Sequence, residues 1–238
     1  GEDGASQVYV KNKVRRAEEI GIKVDVRHYP KLDKEDVTLL SAAVMNPMII
    51  QEPITGTAKH EDVANYIHPC LDADCFSYEN VGMLATGHKP MYLPCTPRGI
   101  MHLLNCYDIP ISGMRACIIG RSNIVGRPLS WMMEQAGATV TLCHSLTPEK
   151  KLYEAIAESR IIVSAVGKPE FITRFRGNIV SNYNIDWGKK TFIDVGINRV
   201  DGHLCGDIHP SIYEVSHAYT PVPGGVGPMT VAMLMLNV

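Results

Sequence analysis

The chain lacks the features that mark several specialised classes. No apolar run approaches the ~20 residues a membrane helix needs, so no membrane is expected as a partner. Basic residues are not in excess: 23 Lys and Arg face 25 Asp and Glu, a formal net charge of −2. No block of like charge occurs either, so neither nucleic acid nor an interaction tail is indicated. The seven cysteines, Cys70, Cys75, Cys95, Cys106, Cys117, Cys143 and Cys205, form no CxxC pair. That argues against a zinc ribbon or a disulfide framework and for a reducing compartment, cytoplasmic or mitochondrial. There is no Gly-x-Ser-x-Gly elbow and no His-Glu-x-x-His site, and the nine histidines show no ligand spacing, so no metal is expected. Repeats and low-complexity tracts are absent. The first residue is not Met and no signal peptide or presequence follows, so a fragment is expected.

What is there is an ordinary globular composition: 238 residues, 45% hydrophobic and 20% charged, enough for one large domain or two small ones. Apolar periodicity predicts a helix over 7–20, capped by Ser6 and closed by Gly21, and a strand over 22–28. Further helices are expected at 33–44 and 61–67. The stretch 72–87 reads as irregular, and Thr96-Pro97 opens a helix running to about Tyr107. Beyond Pro110 the grammar is repetitive. Strands at 116–119, 139–142, 161–165 and 192–195 alternate with helices at 128–135 and 150–158. Such alternation implies an α/β fold with parallel βαβ units and helices on both faces of the sheet. The expected organisation is a mixed α/β domain over 1–108, completed by 217–238, and a Rossmann-like, doubly wound domain over 109–216.

The stretch Ala116-Cys-Ile-Ile-Gly120-Arg-Ser-Asn-Ile-Val-Gly126-Arg-Pro128 joins a buried strand, a Gly-bounded turn and a Pro-started helix. Free N–H groups and the helix dipole favour an anion there, and glycine permits close backbone approach. The loop is not GxGxxG, since Ser122 holds the second Gly position, and no Gly-Lys-Ser/Thr makes it a P-loop. In NAD-preferring sheets a carboxylate usually ends the second strand and binds the ribose 2′-hydroxyl. Here that strand runs into His144-Ser145, while Arg121 stands in the first loop. NADP is therefore the expected cofactor.

Three motifs carry a family resemblance: Gly120–Pro128, Asp194-Val-Gly-Ile-Asn198, and Thr220-Pro-Val-Pro-Gly-Gly-Val-Gly-Pro-Met-Thr230. With weaker matches at Ser6–Lys13, Gln51, Asp72-Ala-Asp74 and Pro94–Pro97, they resemble the bifunctional methylenetetrahydrofolate dehydrogenase/methenyltetrahydrofolate cyclohydrolase family. The resemblance implies two domains with folate between them. It also implies NADP-dependent oxidation of 5,10-methylenetetrahydrofolate, hydrolysis of the methenyl product to 10-formyltetrahydrofolate, and a homodimer paired through the NADP domain. It places the catalytic lysine on Lys13, the tyrosine on Tyr9, the glutamine on Gln51 and the pterin-binding aspartate on Asp74. Pro221, Gly224 and Gly225 would line the folate site. Gly120, Arg121, Ser122, Val125, Gly126, His144, Ser145, Gly167 and Ile197 would bind the cofactor. Family enzymes begin ~40 residues earlier, which again implies a fragment.

The residues alone say less. Tyr9 and Lys13 share a helix face, and a lysine beside a phenol and under a ligand can move protons near neutrality. Without the family, Lys13 reads as a solvated lysine, Gln51 as a structural amide and Asp74 as a loop cap. The chain also departs from the family pattern. Glu52 follows Gln51, Leu71 replaces a lysine, and Cys75 stands at a glycine position where a positive φ would strain it. The segment before Gln51 is ~6 residues short, and 174–190 reads as a surface insertion. Three other readings remain: a monofunctional relative, a catalytically silent folate- or nucleotide-binding relative, and an unrelated Rossmann dehydrogenase acting on a small acid. The Thr220–Thr230 motif argues against the last.

Overall fold

A computed structural model describes residues 4–29, 31–43, 46–51, 57, 60–173, 183 and 185–238. The chain divides into two units, Gly1–Cys95 with Val231–Val238, and Thr96–Thr230. The first holds α1 (Gly4–Glu19), α2 (Lys34–Ala43), α3 (His60–Tyr66) and α4 (Tyr78–Ala85). Then come α5 (Cys95–Cys106), β1 (Arg115–Ile119), α6 (Gly126–Gln135), β2 (Thr139–Cys143) and α7 (Glu149–Glu158). The second half contains β3 (Ile161–Ser164), β4 (Thr191–Asp194), β5 (Asn198–Val200), β6 (His203–Cys205), α8 (Pro210–Tyr213) and β7 (Ala218–Tyr219). The last helix, α9 (Val226–Asn237), starts in the second unit and ends in the first. Among the described residues no helix is long and apolar enough to cross a membrane.

In the second unit the strands run parallel in the order β2-β1-β3-β4-β7. Every residue of β3 and β4 is buried, as a parallel sheet covered on both faces requires. Successive side chains point to opposite faces. Cys117, Ile119, Ile162 and Phe192 therefore pack with Tyr153 and Ile156 of α7. Ala116, Ile118, Ile161 and Val163 pack with Leu129 and Met133 of α6 and with Ile100 and Leu104 of α5.

That packing corrects the expected boundaries. Residues 96–108 and 217–230 fall in the second unit, not the first. Ile100 and Leu104 are wholly buried on its sheet, and the Thr220 Oγ1 accepts the Asp194 N–H at 2.8 Å. Apolar spacing shows that a helix is amphipathic but not which sheet it covers.

The first unit brings other corrections. Val37, Val63 and Ile67 form its described apolar cluster, with Met48, Ile50 and Phe76 against them. The strand expected over 22–28 is not found: the segment has no ladder partner among the described residues, and Val24 and Val26 are exposed. Ser6 lies inside α1 rather than at its cap. The stretch read as irregular contains α4, capped by Ser77, whose hydroxyl accepts the Asn80 N–H at 3.3 Å. Apolar periodicity missed α4 because polar bonds hold it. Buried Asn80 donates to Asp72 and to the Pro69 carbonyl, both at 3.0 Å, and accepts the Met91 N–H at 3.2 Å. Most of the 174–190 insertion and all of Glu52 lie outside the described residues.

Antiparallel β5 and β6 follow β4, a hairpin the sequence did not announce. Its return places Asp207 beside Asp194. Asp194, at the end of β4, accepts N–H groups of Gly196 at 3.0 Å and of Asp207 and Ile208 at 2.9 Å, and the Tyr213 hydroxyl at 2.6 Å. Burial pushes its carboxyl above the ordinary value of 3.8, and the Tyr213 hydroxyl pulls it back. A carboxyl raised on folding contributes stability that is full below 3.8 and is lost as pH rises through the folded value. Tyr213→Phe removes a donor that favours the charged form. The variant should lose about 1.5–3 kcal/mol at neutral pH, and the deficit should shrink as falling pH protonates the carboxyl. Urea unfolding of both proteins from neutral pH downward measures it.

Candidate functional site

The second unit gathers several predicted residues around one cleft. Its volume is ≈ 340 Å³, and its walls include Gly120, Arg121, His144, Ser145 and Lys168. The cleft lies where β1, β2 and β3 end, the position at which parallel sheets bind ligands. Gly120 sits at φ +117, and a Cβ there would overlap the Ala165 carbonyl. A Cβ on Gly126 would overlap the Gly120 carbonyl. The loop thus folds tightly against the sheet and leaves the start of α6 open. Val125, at that start, makes no side-chain cap, but the Ser122 carbonyl accepts the Arg127 N–H at 3.1 Å and Pro128 has none, so the dipole of this ten-residue helix, more than a row of free N–H groups, favours an anion there.

The rim of the cleft is cationic. Arg121 is exposed on the first loop. The loop after β2 is ordered by its own polar groups: the His144 N–H donates to Thr147 Oγ1 at 2.9 Å, and His144 Nδ1 accepts the Leu146 N–H at 3.2 Å. No carboxylate ends β2, as the sequence indicated. The remaining predicted cofactor residues, Ser122, Val125, Gly126, Gly167 and Ile197, do not line this cleft. Ser122 shapes the turn by accepting the Val125 N–H at 3.1 Å. Ile197 lies near Gly227 instead.

Two residues that shape the cleft escaped the sequence analysis. Lys168 lines the cleft with its ammonium 5.8 Å from the centre of the Phe171 ring. Asp207 is fully buried and holds the loop that carries Lys168. It accepts N–H groups of Val166 at 2.7 Å, Gly167 at 3.2 Å and Lys168 at 2.9 Å, the Ser164 hydroxyl at 3.2 Å and the Asn198 amide at 3.0 Å. The Gly167-Lys168-Pro169 turn after β3 was a readable signal for the first. Nothing local marks Asp207, whose partners lie 39 to 43 residues away except for Asn198.

In the first unit the structure ties the segment directly before Gln51 to Asp74. Met48 forms a parallel bridge with Asp72, and the Asp74 carboxylate accepts the Ile50 N–H at 3.0 Å. Of the two acids in Asp72-Ala-Asp74, Asp72 is fully buried and structural, accepting the N–H groups of Phe76 at 2.8 Å and Ser77 at 2.7 Å. Asp74 is partly buried. Cys75 does take a positive φ, +61, which costs ~1–2 kcal/mol for a side chain. Burial pushes its thiol up, so it stays protonated. Tyr9 and Lys13 lie four positions apart on α1, with Lys13 half-buried. The side chain of Tyr9 lies outside what is described. Pro221, Gly224 and Gly225 fall in the second unit, on a loop that Thr220 anchors to β4.

A family model described as "Tetrahydrofolate dehydrogenase/cyclohydrolase, NAD(P)-binding domain" matches residues 94–238. The "Bifunctional protein FolD" of Thermus thermophilus is 40% identical over 245 residues, covering 100% of this chain and 82% of the relative. Among solved structures, the bifunctional methylenetetrahydrofolate dehydrogenase/cyclohydrolase of Campylobacter jejuni matches with a TM-score of 0.89 at 36% identity, covering 100% of this chain and 83% of that one. The Trypanosoma brucei dehydrogenase-cyclohydrolase, complexed with NADP cofactor and an inhibitor, matches at 0.87 and 32%, covering 100% and 82%.

The glycine cradle gives a direct test of the cleft. Gly120→Ala should lower stability by about 2–4 kcal/mol, through the strained φ and the overlap with Ala165. It should also weaken binding of adenosine 2′,5′-bisphosphate at least tenfold. Thermal unfolding and calorimetric titration read the two effects.

Proposed function

Because the chain belongs to the tetrahydrofolate dehydrogenase/cyclohydrolase family, we propose that Lys13, Tyr9 and Gln51 are its catalytic residues and that Asp74 anchors its folate substrate. The protein is an NADP-dependent methylenetetrahydrofolate dehydrogenase and methenyltetrahydrofolate cyclohydrolase. It oxidises 5,10-methylenetetrahydrofolate to the 5,10-methenyl form and hydrolyses that to 10-formyltetrahydrofolate. The observation that carries this conclusion is likeness along the whole chain, at 40% identity, to bifunctional relatives of which it spans 82%.

The cleft of the second unit fits NADP. Gly120 and Gly126 let the first loop pack tightly on the sheet and on its own backbone, and the dipole of α6 favours a pyrophosphate at its start. Arg121 and Ser145 hold the adenosine 2′-phosphate in this reading, with His144 beside them and no carboxylate to repel it. Ser122, Val125, Gly167 and Ile197 belong to the proposed cofactor set outside that cleft. Bound NADP⁺ supplies a hydride acceptor for the methylene carbon.

The chain's own side chains divide the remaining work. Asp74 hydrogen-bonds the pterin and holds it for both reactions; Pro221, Gly224 and Gly225 are the folate residues proposed in the second unit. Hydride transfer needs no proton delivered to the reacting carbon. Hydrolysis of the methenyl cation does need one moved as water adds and the ring opens, and Lys13 moves it. Gln51 orients the Lys13 amine, and Tyr9 stands four positions before it on α1. Exposed Ile197, Val200 and Leu204 around the β5–β6 hairpin support a homodimer paired through this unit. The seven free cysteines fit a reducing compartment, cytoplasmic or mitochondrial.

Turnover of methylenetetrahydrofolate with NADP⁺ and with NAD⁺, measured side by side, tests the assignment. Arg121→Ala should raise the KM for NADP⁺ by about one to two orders of magnitude, the loss of a charge-assisted bond. The KM for NAD⁺ should barely move. Equal losses with both cofactors would place Arg121 on the pyrophosphate or in the fold. Lys13→Met should depress cyclohydrolase turnover by about 10²–10⁴-fold. Dehydrogenase turnover should fall less, so the methenyl product accumulates and is seen by its near-ultraviolet absorbance. Intact hydrolysis in that variant would remove Lys13 from the mechanism.

A further inference from the structure

Helix α9 reads Val-Gly-Pro-Met-Thr-Val-Ala-Met-Leu-Met-Leu-Asn, apolar along most of its length, yet its last residue is a buried amide. Such a group is retained in an apolar setting only where its donors are matched. Asn237 Nδ2 donates to the Ala73 carbonyl at 2.8 Å and the Leu93 carbonyl at 2.9 Å, and touches Cys95 Sγ at 3.5 Å. Ala73 is fully buried, so water cannot take the place of that donor. The Cys95 thiol adds a longer contact to the same carbonyl, at 3.6 Å.

Ala73 stands between the two acids of Asp72-Ala-Asp74. Its N–H donates to the Met48 carbonyl at 3.2 Å, so the bond to Asn237 fixes its carbonyl as well. The carbonyl of Ala73 belongs to the peptide that leads into Asp74, and its direction sets where the Asp74 side chain leaves the backbone. From Asp74 the path continues to the Ile50 N–H at 3.0 Å, directly before Gln51.

We infer that Asn237 is a positioning residue for the folate site: its amide locks the Ala73 peptide and so aims the Asp74 carboxylate at the pterin. The inference rests on the reading of Asp74 as the pterin anchor. A small displacement of a binding group far from the chemistry is enough to cost an order of magnitude or more. A residue that merely stabilised the fold would lower the amount of active enzyme and leave the affinity of the remainder unchanged.

The test is a double-mutant cycle on the whole chain, with Asn237→Leu, Asp74→Ala and the pair. Asn237→Leu should raise the KM for methylenetetrahydrofolate about tenfold, with the KM for NADP⁺ within twofold and kcat little changed. The double variant should be no worse than Asp74→Ala alone, because the first residue acts through the second. If Asp74→Ala raises the folate KM and Asn237→Leu does not, or if the two effects multiply, the inference is overturned while the role of Asp74 stands. An unchanged folate KM in Asp74→Ala overturns that role and the inference with it. Should Asn237→Leu fail to fold, Asn237→Ser keeps one donor and should give a smaller rise of the same sign. An unchanged folate KM in that folded variant likewise refutes the inference.

Discussion

The second unit depends on two buried acids in series, the first holding the backbone of the second and the second holding the turn after β3. Asp194 ends β4 and accepts the N–H of Asp207 at 2.9 Å, while Asp207 reaches forward to the turn after β3 and takes three consecutive N–H groups there. A parallel strand leaves unpaired N–H groups where it turns away from the sheet, and a buried ion is stable only where donors surround it. Each requirement meets the other. The β5–β6 hairpin is what carries Asp207 back to this point. The Lys168 wall of the cleft is therefore held by a residue far along the chain rather than by the loop's own sequence.

The first unit uses a different device for the same end. Its described apolar cluster is small, and polar bonds set the functional loop: Asp72 gathers Phe76, Ser77 and Asn80, and Asn80 gathers Pro69 and Met91. Cys75 keeps its left-handed backbone inside that frame, at a position where glycine would cost nothing. The network over-determines the loop and so can carry the strain.

How much of this was legible depended on how local each cause is. Ile161–Ser164 and Thr191–Asp194 declared themselves, because a buried parallel strand is an apolar run bounded by a turn. The backbone of the loop after β1 was readable for a similar reason: Gly120, Gly126 and Pro128 have backbone roles that their residue types betray. Helix α4 was not, since Asn80 rather than an apolar stripe fastens it. The expected strand over 22–28 had the right composition, but a strand also needs a partner, and composition cannot supply one. Lys13, Gln51 and Asp74 looked ordinary one by one, and only a likeness to known enzymes singled them out. The domain boundary near Asp108 was misplaced because the spacing of Ile100 and Leu104 shows an apolar face without its destination.

The carbonyl of Ala73 finds its donor 164 residues later in the chain. At a synthesis rate of about 5–20 residues per second, that interval lasts roughly ten to thirty seconds. The second unit is contiguous, Thr96–Thr230, and each of its partners has been made by the time Thr230 is added. The first unit starts earlier and is completed only by Val231–Val238. The half made first is thus the half finished last, because the donor that closes the Ala73 loop is made after Thr230.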